Sequence, residues 1–236
     1  MPKQTVPARM CSRSTGRIIA LLLLGVGPIV AAPASLAAES GRFETLTFAY
    51  TPPEQAPKGE RTRYVDEAPE IVFERVWSFL EESGLSIASV DPQQRIVVAQ
   101  YQGDPRAYLD CGTVVPLVGG EPAEAAKPFA AAKPEIRTAK TVNKRRYGLL
   151  RQLGLDMRLT VKIEPRGRGT RVYSEAIYVA TKSVHRLHKG GKPGELLDRE
   201  VISFLSDSVG QFAKGTRCVG TGKIEALPLA PFKKTS

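Results

Sequence analysis

Residues 155–181 read LDMRLTVKIEPRGRGTRVYSEAIYVAT. Leu155, Met157, Leu159, Val161 and Ile163 alternate with Asp156, Arg158, Thr160, Lys162 and Glu164. Successive side chains on a strand point to opposite faces, so this period of two predicts a strand with one dry and one wet face. PRGRG (165–169) reads as a turn, and 170–181 as the return strand of a hairpin. Arg158 and Lys162 lie on the wet face, and the register of the hairpin decides whether Arg171 joins them.

A sheet with one dry face needs a covering layer. Residues 69–84, PEIVFERVWSFLEESG, predict a helix: Val72, Val76, Phe79 and Leu80 fall at helical spacing, and Phe73 and Trp77 widen the stripe. Pro69 suits the first turn and Gly84 the stop. A second helix is expected at 193–212 from Leu197, Val201, Phe204, Leu205, Ser208 and Phe212. Between them, 85–103 reads as strand, turn at Asp91-Pro92, strand. AYLDCGTVV (107–115) reads as a third strand with Leu109, Cys111, Thr113 and Val115 on its inward face. Short strands are expected near 43–50 and 61–65. The basic stretch 140–154 fits either a short strand or an amphipathic turn. The expected fold class is therefore α+β, an antiparallel β-sheet packed against two helices. It forms one domain, 61–225, after an N-terminal segment 39–60. An Ala/Pro-rich stretch at 116–136 reads as a mobile insertion, and 226–236 as a disordered tail.

The N-terminus bears on compartment. Lys3, Arg9, Arg13 and Arg17 precede the uncharged run IIALLLLGVGPIVAA (18–32), and small residues follow at cleavage spacing before Glu39. This is the pattern of a signal peptide over 1–38. An uncleaved anchor fits less well, because the run is shorter than the roughly 20 residues of a span and is interrupted by Gly25, Gly27 and Pro28. Cys11 lies before the apolar run, so a lipoprotein is not expected. Cleavage would leave Cys111 and Cys218 as the only cysteines in an oxidising periplasmic or secreted setting. A disulfide between them is expected; two buried thiols are the alternative.

The full chain carries a formal net charge of +10, unevenly placed. Residues 39–132 are net −7, residues 133–192 net +12, and residues 193–236 net +1. Export and the lack of interleaved aromatic residues argue against nucleic acid. Lys144, Arg145, Arg146, Arg158, Lys162, Arg166, Arg168 and Arg171 are the candidate partner-binding face, with solvated strand cations as the plainer reading. His185 and His188 are spaced HxxH, but two ligands do not fill a zinc site, so no metal or cofactor is expected. An enzyme would require His185 or His188 to meet Asp110, Glu175 or Cys218.

The run VWSFLEESGLSIASVDPQQRIVVAQY (76–101), with its Trp-bearing helix, G-L-x-I strand and D-P turn, resembles the helix-grip module of envelope proteins related to the assembly factor BamC. The resemblance spans roughly 69–101 and implies a non-catalytic, protein-binding role at the periplasmic face. The chain differs from that group in lacking a lipid-attachment cysteine after the signal and in having Cys111 and Cys218. The functional expectation is an exported, non-catalytic protein binding an envelope protein or an anionic envelope surface. A periplasmic lipid or small-ligand carrier is the alternative, and an enzyme of unknown class the third.

Overall fold

The hairpin predicted over 155–181 is the longest feature of the structure, and it runs from Arg145 to Leu187. A computed structural model describes residues 47–54, 59–118, 121–122, 127–142 and 145–232. The expected signal peptide and Lys144 lie outside these residues, as do parts of the 39–60 segment, of the 116–136 stretch and of the C-terminal tail. In chain order the elements begin with β1 (Thr47–Thr51), β2 (Thr62–Val65), α1 (Pro69–Glu82), β3 (Ser86–Asp91), β4 (Ile96–Gly103), β5 (Leu109–Asp110) and β6 (Thr113–Val118). Next come β7 (Glu121–Pro122), β8 (Phe129–Ala130), β9 (Glu135–Val142), β10 (Arg145–Arg166) and β11 (Gly169–Leu187). The chain ends with β12 (Pro193–Leu205), β13 (Val209–Gln211), β14 (Arg217–Gly220) and α2 (Lys223–Ala226), followed by a 3-10 helix at Leu227–Phe232.

β10 and β11 pair at eighteen consecutive positions, from Leu149↔Arg186 to Arg166↔Gly169. Gly167 holds φ at 61° in the two-residue turn, a conformation that glycine adopts without steric cost. The pair Glu164↔Arg171 settles the open register question: Arg171 shares the outward face with Arg158 and Lys162. Around this hairpin a seven-stranded antiparallel sheet has the order β12-β11-β10-β4-β3. β2 extends the β11 edge near the turn, and β9 pairs with β10 beyond the reach of β4. The undecided stretch 140–154 is thereby resolved as the first part of β10 together with the end of β9.

Helix α1 covers the half of the sheet nearest the turn. Val72, Phe73, Val76 and Leu80 are buried, and burial of such side chains stabilises by roughly 2 kcal/mol each. They join one core cluster with Val97, Ala99, Leu159, Val161, Ile163 and Val172. Gly84, at φ 79°, follows the C-cap Ser83 and stops the helix as its position predicted. In the same core Tyr178 donates its hydroxyl to Glu225 at 2.8 Å, and both residues are fully buried. Burial, reinforced by the Glu225 carboxyl, pushes the Tyr178 hydroxyl above its ordinary range.

The α+β expectation, with its helix-grip arrangement and two helices, is corrected. The architecture is mostly β, in three antiparallel sheets, and the stretch 193–212 forms β12, a turn and β13 instead of a helix. Its apolar residues satisfy helical spacing, but Leu197, Val201 and Leu205 are 43%, 56% and 42% exposed. Phe204 turns inward, and the alternation follows from pairing along β11. The expected third strand is split in two. Gly112 adopts φ 76°, and a Cβ there would lie 2.1 Å from the Thr51 carbonyl oxygen. The chain turns at this point, so β5 pairs with β14 while β6 pairs with β1. Described parts of 116–136 belong to strands β6, β7, β8 and the start of β9, with Ala131 and Ala132 buried. Residues 227–232, expected in a disordered tail, form the 3-10 helix, in which Leu229 is fully buried.

Cys111 and Cys218 form a disulfide closing a separation of 107 residues. The register Val219↔Asp110 and Gly220↔Leu109 sets Cys111, just past the end of β5, opposite Cys218 of β14 in the small β13-β14-β5 sheet. The bridge is compatible with an oxidising, exported compartment. Replacing both cysteines with Ala is expected to lower unfolding free energy by about 2–5 kcal/mol. Urea denaturation of oxidised wild type and the double variant checks this; coincident midpoints would show that the bridge contributes nothing.

Candidate functional site

Beyond the reach of α1, the inward face of the large sheet meets the sheet β1-β6-β7, with β8 also on β6. Phe48 and Tyr50 alternate along β1, Tyr50 pairs with Val114 of β6, and Val114 pairs with Phe129 of β8. These four side chains form one wall of a cleft of about 420 Å³. The opposite wall consists of Ile136 and Thr138 of β9, Leu149 and Arg151 of β10, Lys182 and Val184 of β11, and Asp198 of β12. Strand pairing explains why they converge. Ile136↔Arg151, Arg151↔Val184 and Val184↔Asp198 make a single row across four strands. A second depression, of about 490 Å³, shares Phe48, Phe129, Ile136 and Thr138 with the first and adds Lys133 and Arg137.

The wall residues are held firmly. The Tyr50 hydroxyl donates to the Arg217 carbonyl at 3.1 Å and accepts from the Arg217 amide at 2.8 Å. Lys182 forms an ion pair with Glu200 at 3.0 Å, with side chains only 8% and 15% exposed. Its ammonium also lies 4.8 Å from the centre of the Phe212 ring. Lys214 pairs with Asp198, and its hydrogen bond holds the Asp198 carboxyl below the usual carboxylate range. Arg151 differs. Its Nη2 donates to the Ala131 and Lys133 carbonyls, both at 2.9 Å, while its buried Nε has no hydrogen-bond partner among the described residues. No carboxylate of the described residues lies within ion-pair distance of it.

The cations singled out from sequence do not form one surface. Arg158 and Lys162 are exposed on the outward face of β10, with Arg166 and Arg168 at its turn. Arg171 is partly neutralised by Glu164 at 3.3 Å and stacks 5.4 Å from the centre of the Tyr173 ring. Asp156, Glu164 and Glu175 interleave with these cations on the same face. Arg145 and Arg146 lie at the opposite end of β10; thirteen residues of strand between Arg145 and Arg158 correspond to about 43 Å. Among the described residues neither His185 nor His188 lies within ion-pair distance of Asp110 or Glu175. Glu175 and His185 sit ten residues apart on β11, about 33 Å. Cys218 is in the disulfide, and Asp110 accepts the Gly112 amide at 2.7 Å. The described residues contain no cluster of three His, Cys, Asp or Glu side chains able to share a metal ion.

Sequence reading missed the cleft. Its signal was the dry row of 155–163 continued backwards through Leu153, Arg151 and Leu149, with one cation in an otherwise apolar series. The Phe48/Tyr50 wall was not readable, because its position depends on pairing with residues more than sixty positions away. No family model matches the chain, and no curated protein matches it.

Lys182→Met alone is expected to destabilise by about 3 kcal/mol, because it leaves the mostly buried Glu200 carboxylate without its ammonium and with only the Ala213 amide as donor. The double variant Lys182→Met/Glu200→Leu is expected to recover most of that loss. Denaturant titration of the four members of the cycle measures the coupling, and additive losses would contradict a paired role.

Proposed function

We propose that this chain is an exported, non-catalytic binding protein of the cell envelope whose cleft between the two sheets holds a small amphiphilic ligand. The observation that carries this reading is the cleft itself: about 420 Å³, walled by Phe48, Tyr50, Val114, Phe129, Ile136, Leu149 and Val184, with a few placed polar groups. That combination of size and lining is the usual one for small-ligand sites. The disulfide and the signal-like N-terminus together support a periplasmic or secreted location. The carrier reading is preferred to attachment through a basic face because the cations proposed for such a face are divided between two ends of β10 and interleaved with acids.

A second, narrower reading keeps an anionic envelope surface or protein as partner for the turn end of the hairpin. Arg158, Lys162, Arg166 and Arg168 are exposed there, and none has an ion pair among the described residues. Charge in this position favours encounter more than specificity.

The carrier reading is tested with a neutral fluorescent probe, N-phenyl-1-naphthylamine, on the oxidised protein. Val184→Trp and, separately, Thr138→Trp are expected to lower probe affinity at least tenfold while keeping the melting temperature within a few degrees. Unchanged affinity in both variants would remove the cleft as the binding site. The second reading is tested by cosedimentation with vesicles containing phosphatidylglycerol. Salt-sensitive binding that disappears in R158E/K162E/R166E/R168E is expected if the turn end docks on anions, and no binding at low salt would end that reading.

A further inference from the structure

We propose that the ligand of this cleft has an anionic head, a carboxylate or phosphate on an apolar chain, and that Arg151 is the residue that receives it. This rests on the carrier reading above and specifies its ligand class. Five charged side chains define the electrostatics of the cleft. Lys182 is matched by Glu200 and Lys214 by Asp198, which leaves Arg151 as the charge with no opposite partner among the described residues. Its two carbonyl acceptors, on Ala131 and Lys133, hold the guanidinium in place but supply only partial negative charge. A half-buried guanidinium with no carboxylate beside it among the described residues is costly to keep, and an anion entering the cleft relieves that cost through charge-assisted hydrogen bonds. Burial pulls Arg151 down to about 10, so it remains cationic at neutral pH.

The surroundings favour the same sign of charge. Lys133 and Arg137 line the adjoining depression, and no carboxylate of the described residues lines it. Among the described residues the one carboxylate lining the cleft, Asp198, belongs to the same row but is two strands away and occupied by Lys214. Apart from these groups and the hydroxyls of Thr138 and Thr216 the walls are aromatic and aliphatic, which suits the chain of an amphiphile rather than a bare inorganic ion.

The test compares four twelve-carbon probes below their micellar concentrations, by isothermal titration calorimetry on the oxidised full chain: dodecanoate, dodecyl phosphate, dodecanol and dodecyltrimethylammonium. At least one anionic probe is expected to bind tenfold or more tighter than dodecanol, and the cation weakest; the stronger anion identifies carboxylate or phosphate as the preferred head. Arg151→Gln is expected to abolish the preference for anions while leaving dodecanol affinity within about twofold. Equal affinity for anions and alcohol in the wild type, or tighter binding of the cation, overturns the inference and leaves the carrier reading standing. Failure of all four probes overturns both. An anion preference that survives in folded Arg151→Gln removes Arg151 from the role. The wild-type comparison decides the anion question even if Arg151→Gln does not fold.

Discussion

The register between β10 and β11 is the constraint on which the rest of the molecule depends. Eighteen paired positions fix which side chains face the core, and a slip of one residue would exchange the two faces. Arg158, Lys162 and Glu164 would then point at α1, and Leu159, Val161 and Ile163 at water. The sheet's other strands inherit their placement from this pair. β4 and β9 share one edge of β10, and β2 and β12 share one edge of β11, so a single hairpin serves four neighbours. The two halves of its inward face have different covers. Near the turn the cover is α1 and the surface is mostly hydrocarbon, with the buried hydroxyls of Thr170 and Ser174 hydrogen-bonded to backbone carbonyls; at the open end it is the smaller β1-β6 sheet, and the surface includes charge.

Much of the first half was legible because the chain writes it locally. The alternation in 155–163, the glycine in the turn and the stripe from Val72 to Leu80 each need only a few neighbouring residues to be read. The stretch 193–205 was misread because Leu197, Val201 and Leu205 fall at spacings of four, which both a helix stripe and one face of a strand satisfy. The choice was made by the unsatisfied edge of β11 and by Lys182, which finds its buried partner only if Glu200 stands opposite it. Reading 107–115 as one strand failed at a single residue. Gly112 cannot carry a side chain past the Thr51 carbonyl, and the bend it permits sends two halves of one apolar segment into different sheets.

The candidate site was less legible than the fold for a related reason. Basic residues cluster in the sequence between 133 and 192, and that cluster drew attention to the solvated cations of β10 and its turn. A strand of 22 residues disperses neighbours in sequence over tens of ångströms. The charge that matters most to the cleft is a single arginine in a dry row, and its significance comes from what lies around it: two carbonyls, matched lysines on the neighbouring walls and aromatic rings overhead. Composition counts cations equally, whereas burial weights them by the water they have lost.

The position of the covalent bridge has a consequence for the order of assembly. Cys111 directly precedes the bend that launches β6, so the bond to Cys218 fastens the roof strand to a segment close to the carboxyl end. In a polypeptide threaded across a membrane with its amino end leading, Cys111 arrives 107 residues before the thiol it needs. The sheet that roofs the cleft therefore stays unlatched until β14 has been made, although every strand of the large sheet precedes that point in the chain.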